Sequence, residues 1–300
     1  MAWSWINFAI PVISTTFASF SGMFKHMSID TISNLFIDEA GQATPQSAVG
    51  AVLRSKRIIA VGDPAQITPV VPLSNGIIGL IASRYSASEE IVNGYASVQT
   101  LVDETSKFGY QKTEDEWIGI PLWVHRRCLD PMFSISNQLS YEGKMVLPES
   151  MSSPGRGAWI DIRGNSDNKF VKEQAEWLKS EIIRRIDSIE EKENSNIFVI
   201  SPFKNVVNQL KNNLGKIGLK KSNIGTVHTF QGKEASIVYL VLGASHEESG
   251  AARWAVSEPN LMNVAATRAK TEFYIIGDKN LYKSLKSEVI DKTLAVLDGK

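Results

Sequence analysis

The chain is short of cysteine, of any excess of one charge and, over its first residues, of charge altogether. Cys128 is the only cysteine in 300 residues. That excludes an internal disulfide and a cysteine-rich zinc site, and it suits a reducing compartment, so the protein reads as cytoplasmic. Thirty-two basic residues balance thirty-two acidic ones. Without a global positive field, any nucleic-acid contact has to come from a local groove. No charged residue precedes Lys25, and an uncharged stretch of that length imitates a signal peptide or a membrane span. It has no basic leader, however, and Asn7, Pro11, Ser14, Thr15, Thr16, Ser19 and Ser21 interrupt it, which argues against both; no membrane partner is expected. PVISTTF is read instead as a buried strand. Internal repeats and low-complexity tracts are also absent.

The chain does have enough apolar content, at 43% hydrophobic and 21% charged, for one large core or two ordinary ones, and its length favours about two domains. NLFID and RIIAVGD are short β-branched runs that each end in an acid, at the position where open parallel sheets keep their ligands. A polar stretch from Ser83 to Glu116 reads as a helical or loop excursion, and EWIGIPLWVHRR begins something new, which puts a domain boundary near residue 115. Beyond it, GAWIDIRG, NIFVISPF, NIGTVHTF, SIVYLVLG and EFYIIGD read as strands. Val171, Ala175, Leu178, Ile182, Ile186 and Ile189 recur at intervals of three or four, the stripe of an amphipathic helix. Its charged side, with Glu181 and Arg185 four apart, reads as a solvated face. Strands alternating with helices predict an α/β fold with parallel sheets flanked by helices.

Several stretches carry chemistry. In LFIDEAGQA, Asp38 and Glu39 close a strand with bare carboxylates, which are costly unless paired, so a divalent metal on a nucleotide and an ordinary surface turn are the two readings. VGDPAQITPVV sets Gly62, Asp63 and Gln66 directly after a strand in a loop stiffened by Pro64 and Pro69, either a phosphate-sensing amide or a plain Asp-Pro turn. TVHTFQGKEASIVYL places Gln231, Gly232, Lys233 and Glu234 between apolar strands; Gly232 permits an unusual backbone, and Glu234 is able to accept bonds from a ribose. NLMNVAATRAK puts Arg268 on a helix among Ala265, Ala266 and Ala269, as a bidentate phosphate ligand or as a helix-terminal salt bridge. Phe203 and Phe230 at strand ends fit a core as well as a stacking face. His228 has no His or Cys at metal-ligand spacing.

In order, these stretches resemble the motif series of superfamily 1 helicases, most closely the branch of the helicases of nonsense-mediated decay and Okazaki-fragment processing. PVISTTFASF resembles the nucleic-acid-contacting motif, LFIDEAGQA the second and VGDPAQITPVV the third. LWVHRRCLDPMFSISNQLSYEGKM resembles the fourth region, TVHTFQGKEASIVYL the fifth and NVAATRAK the sixth. The resemblance spans nearly the whole chain. It implies a RecA-like P-loop NTPase helicase core with ATP and Mg²⁺ as cofactors and single-stranded DNA or RNA as partner. Asp38 would hold Mg²⁺ through its water shell, and Glu39 would orient and deprotonate the attacking water. Gln66 would contact the γ-phosphate, and Arg127 and Arg268 would act as paired arginine fingers. Asp63, Gly232, Glu234 and Arg126 would line the nucleotide, with Arg126 competing with Arg127 for the finger role because Leu129 and Asp130 stand where the family has His before Pro131. Thr15, Thr16, Thr68, Ser201, Phe203, His228 and Thr229 would line the single-strand track. Arg268, taken as aimed into a wet cleft, should support little structure.

G-x-x-x-x-G-K-[ST] occurs nowhere, since the Gly-Lys pairs at Gly143, Gly215 and Gly232 are followed by Met, Ile and Glu, and the pair at Gly299 is the last of the sequence. The resemblance then implies one partial RecA-like domain, residues 1–115, and one complete one, residues 116–300, with the missing part supplied upstream or by a partner chain. Weak ATPase activity is expected of the chain alone. Two rivals to a motor stay open: a non-catalytic nucleic-acid-binding or partner-docking remnant, and a related ATPase switch that does not unwind.

Overall fold

The computed structural model describes residues 2–63, 65–66, 69, 71, 73–88, 92–114, 116–188, 196–230 and 232–299. Two compact units divide the chain, Met1–Pro121 and Leu122–Lys300. The first unit ends at Pro121, and the sequence reading places the boundary near residue 115.

The first unit runs α1 (Ala2–Ala9), α2 (Phe17–Met23), β1 (Leu35–Asp38), α3 (Pro45–Leu53), β2 (Ile58–Val61), α4 (Asn75–Arg84), α5 (Val98–Thr105) and a hairpin of β3 (Tyr110–Thr113) and β4 (Glu116–Ile118). β1 and β2 pair in parallel, with Leu35 beside Ile58 and Asp38 beside Val61. Ile37, Ala40, Ala48 and Val98 form the small core beneath them. The opposite face is open: Phe36 is 69% exposed, and Ile59 and Val61 are exposed with it. PVISTTF is not a strand. Residues 11–16 have no regular structure, and Thr16 caps α2 by accepting the Ser19 N–H at 3.3 Å. A β-branched run at a helix start gains a cap there in place of a strand partner.

The second unit runs α6 (Met132–Ser140), β5 (Arg156–Asp161), β6 (Ser166–Asp167), β7 (Phe170–Val171), α7 (Lys172–Ser188), β8 (Ile197–Ile200), α8 (Lys204–Leu214), β9 (Ile224–Gly225), β10 (Ala235–Val241), α9 (Ser249–Ala255), α10 (Pro259–Thr267), β11 (Ala269–Gly277), α11 (Lys279–Ser284) and α12 (Glu288–Leu297). β5, β11, β10, β8 and β9 form, in that order, one parallel sheet separate from the first. β8 and β10 are buried along nearly their whole length, as the unbroken apolar runs IFVI and IVYLV require. This is the expected α/β architecture with parallel sheets flanked by helices.

Two expectations in this unit are corrected. NIGTVHTF is strand only at Ile224–Gly225, and Val227–Phe230 is a 3₁₀ turn. The chain folds back because Gly225 lies against the Thr229 side chain, where a Cβ would come within 2.7 Å, while the Thr229 N–H bonds the Thr226 carbonyl at 2.9 Å. The charged side of α7 is not simply solvated. Arg185 bonds Glu181 at 2.7 Å and Glu272 at 2.8 Å, half-buried over the rings of Tyr239 and Tyr274. Burial alone would raise the Glu181 carboxyl, but bonds from Arg185 and Arg184 hold it below its ordinary range. Ile189, the last residue of the helix stripe, lies outside the described residues.

Candidate active site

In the first unit the parallel register of β1 and β2 sets their carboxyl ends side by side. Asp38 is exposed there, and its Oδ1 accepts the Glu39 N–H at 3.0 Å. Glu39 adopts a left-handed backbone, φ 53° and ψ 39°. For a residue with a Cβ that costs about 1–2 kcal/mol, and it persists only where its surroundings fix it. The Asp38 bond is one such restraint, and the Gln42 amide donating to Glu39 Oε2 at 2.7 Å is another. Together they restrain the Glu39 turn at the end of β1.

The loop after β2 packs on this turn. A Cβ on Gly62 would stand 2.7 Å from the Gly41 nitrogen and 2.9 Å from that of Ala40, so only glycine lets the two loops touch. Asp63 braces the next residues of the loop: its Oδ1 accepts the Ala65 N–H at 3.0 Å, and its Oδ2 accepts from the Gln66 amide at 2.8 Å. Asp38, Glu39, Asp63 and Gln66 are thus gathered at one sheet end. Thr68 lies outside the described residues. Behind the loop sits a pair the sequence reading missed. Gln99 donates to Asp103 at 2.8 Å, and its Oε1 lies 3.0 Å from where a Gly62 Cβ would be. Burial raises the Asp103 carboxyl, against the opposing bonds from Gln99 and the Gly119 N–H. The only sequence signal was the four-residue spacing of Gln99 and Asp103 on α5.

In the second unit three segments meet at the amino ends of β10 and β11. The Leu129 N–H bonds the Lys270 carbonyl at 3.0 Å, and the Ala235 N–H bonds the Arg268 carbonyl at 2.9 Å. Arg126 and Arg127 are exposed on the first of these segments. Their turn is fixed by His125, whose Nε2 accepts the Cys128 N–H at 3.0 Å and lies 3.0 Å from its Sγ. Burial and then the Arg127 charge lower the His125 pKa, which keeps Nε2 an acceptor. Burial pushes the Cys128 thiol up to about 12, while Arg127 and Arg268 both pull the other way, so both guanidinium fields reach this one sulfur.

Arg268 departs from expectation. It directly follows α10 and is 1% exposed, and its Nη1 donates to the Lys233 carbonyl at 3.1 Å and the Phe230 carbonyl at 3.4 Å. It therefore supports the fifth-motif loop rather than standing in a wet cleft. In that loop Gly232 takes φ 72°, a left-handed backbone of the unusual kind that glycine permits, and the Glu234 carboxylate is engaged by Lys270. Gln231 lies outside the described residues.

The expected nucleic-acid track is mixed. His228 and Thr229 are exposed on the 3₁₀ turn, and Thr15 and Thr16 are exposed before α2. Ser201 is fully buried, with its hydroxyl accepting the Phe203 N–H at 3.4 Å, so it faces no solvent. Phe230 stacks on Phe198 in the core with centroids 4.3 Å apart, and Phe203 is buried as well.

Residues 122–280, more than half of the chain, match the model of an AAA domain, and residues 4–73 match a second AAA domain model. The DNA replication ATP-dependent helicase/nuclease DNA2 of Gallus gallus is 25% identical over 251 residues, covering 80% of this chain and 22% of that protein. The ATP-dependent helicase upf1 of Schizosaccharomyces pombe is 24% identical over 260 residues, covering 82% and 26%. The chain belongs to the superfamily 1 helicases, in the UPF1-like branch. It spans about a quarter of the length of these curated relatives. Among solved structures, that of the PRRSV helicase covers 84% of this chain and 36% of its own at 14% identity, with a TM-score of 0.44.

Against the helicase pattern, the departure at Leu129 and Asp130 has a local purpose. Asp130 Oδ1 accepts both the N–H and the hydroxyl of Ser134, which fastens the first turn of α6. No group of three or more His, Cys, Asp or Glu able to hold a metal occurs among the described residues. The donor chemistry at Asp38 fits a hydrated Mg²⁺, a hard cation that keeps several waters and takes one or two carboxylates beside nucleotide phosphates. No described helix is long and apolar enough to cross a membrane.

Proposed function

We propose that this helicase-family chain is the hydrolysing and strand-gripping portion of an ATP-driven motor on single-stranded nucleic acid, with its phosphate-binding loop provided by an upstream segment or a partner chain. The observation that carries the reading is the gathering of Asp38, Glu39, Asp63 and Gln66 at the carboxyl ends of two adjacent parallel strands, with Glu39 held in a strained backbone. Mg-ATP brings a phosphoanhydride whose cleavage needs neutralised oxygens and an in-line water. Asp38 would hold the hydrated metal. Glu39, aimed by Gln42, would accept the proton of the attacking water, and Gln66 would report the γ-phosphate from its perch on Asp63. Arg127 and Arg268 would supply guanidinium charge, Arg126 being the alternative to Arg127, and Glu234 a ribose contact once Lys270 releases it. The open face at Phe36, Ile59 and Val61 supports a missing portion, since parallel sheets are covered on both faces. A reducing cytoplasmic setting suits the single thiol.

The test compares steady-state ATP hydrolysis by the chain alone with hydrolysis after a segment bearing G-x-x-x-x-G-K-[ST] is fused or co-expressed. Little turnover is expected from the first. The second should show turnover stimulated by single strands and abolished by Glu39→Gln. A restored protein indifferent to Glu39→Gln would sink the assignment.

A further inference from the structure

At the carboxyl end of β8 lies a cavity of about 480 Å³, lined by Asn168, Lys169, Phe203, Lys204, Asn205 and Trp254. Nothing in the hydrolysis scheme uses it. Trp254, on α9, is 61% exposed, an unusual display for the largest apolar side chain. Its ring lies 5.9 Å from that of Phe203 at 36°, so buried Phe203 backs one side of the indole. That separation leaves no room for a third ring between them, and the outer face of the indole is the one available.

The two lysines are placed against local preference. Asn168 and Lys169 form the two-residue turn between β6 and β7 with φ 48° and 68°, positions where glycine is easiest, yet the second holds a lysine. The Glu248 carboxylate pins that turn by accepting the Lys169 N–H at 2.8 Å and 3.1 Å. Lys204 opens α8, where a cation opposes the helix dipole and an acid is the ordinary choice; the first turn has no acid. Neither ammonium forms an ion pair among the described residues, Lys169 Nζ bonding only the neighbouring Asn168 amide oxygen at 3.0 Å.

We propose that this surface is a base-stacking platform for single-stranded nucleic acid. One unstacked base lies on the outer face of Trp254, and Lys169 and Lys204 hold the flanking phosphates. An exposed aromatic face beside unpaired cations is the combination by which proteins grip single strands without reading sequence. The inference rests on the single-strand reading of the proposed function and adds residues to it, Trp254 and Lys169 foremost.

The test is fluorescence anisotropy of labelled oligo(dT) and oligo(rU), each of roughly a dozen nucleotides, titrated with the 300-residue chain at several salt concentrations. Trp254→Ala should weaken binding about tenfold while Trp254→Phe stays close to wild type, because any aromatic face stacks. Lys169→Gln and Lys204→Gln should each lower the salt slope by about one unit and weaken all sequences alike. The two probes separate RNA from DNA as the preferred strand. Thermal melting of each variant accompanies the titrations. Wild-type binding that survives Trp254→Ala overturns the platform and leaves the single-strand reading standing. A Trp254→Phe variant as weak as Trp254→Ala also overturns it, since Trp254 would then act by shape. No binding of either probe by wild type removes both.

Discussion

Replacing Arg268 by alanine should cost the second unit far more than its surface-facing motif suggests. The side chain is 1% exposed, and Nη1 reaches the Lys233 carbonyl at 3.1 Å; the Phe230 carbonyl, at 3.4 Å, also accepts the Lys233 N–H. A hydrogen bond from a charged donor contributes about 1.5–3 kcal/mol, and the longer contact adds little. The two methylenes lost beyond Cβ contribute about 0.8 kcal/mol each when buried. Together these give roughly 3–5 kcal/mol, or about 10 °C in melting temperature for a domain of this size. Arg268→Lys keeps the charge and most of the stem and should recover about half. Calorimetric melting of the purified variants measures both. In a protein with its phosphate loop restored, the guanidinium role proposed for Arg268 predicts that Arg268→Lys loses most of its turnover even where it keeps its fold. An Arg268→Ala variant melting within about 2 °C of wild type would refute the packing argument.

Gly62→Ala should destabilise the first unit by about 1–3 kcal/mol, because its new methyl would meet backbone nitrogens rather than a movable side chain; an unchanged urea midpoint would contradict this. Arg185→Met should lose about 3 kcal/mol by leaving Glu181 and Glu272 half-buried without their shared cation, and a variant as stable as wild type in urea would show the network to be replaceable by apolar packing. Cys128, buried and pushed up to about 12, should resist iodoacetamide at pH 8 in the folded protein and react once urea unfolds it. The same shift makes stability fall as pH rises from the ordinary thiol value of 9.0 toward 12, since the unfolded chain releases a proton that the folded one keeps. Cys128→Ala should flatten that segment of the pH profile, and a profile identical to wild type would mean another group governs it.

The strands were legible because β-branched runs bounded by turn residues leave few alternatives, and β1, β2, β5, β8, β10 and β11 lie where those runs stand. The clustering of Asp38 with Asp63 came from each acid ending a parallel strand. Other features depended on partners distant in sequence. Thr16 looks the same as a strand residue or as a cap until its neighbours are placed. The small residues Ala265 and Ala266 pointed to close approach at Arg268, but approach to a phosphate and burial against the Lys233 carbonyl leave one pattern. Ser201 vanished into the core because the residue after a fully buried strand is covered by the turn beyond it. Gln99 and Trp254 sit outside every motif, and only the packing of Gly62 and Phe203 beside them reveals what they face.

The left-handed backbone at Glu39 also supplies a marker that can be read in other chains without any structure. Glycine or asparagine would adopt φ 53° with less strain, so a relative with no further use for a carboxylate gains stability by changing this one residue. Glutamate here is the more expensive choice. On the role proposed for Glu39, sorting related sequences by Glu against Gly or Asn at this position should separate working hydrolases from retired ones, and Glu39→Gly in this protein should melt higher than its parent.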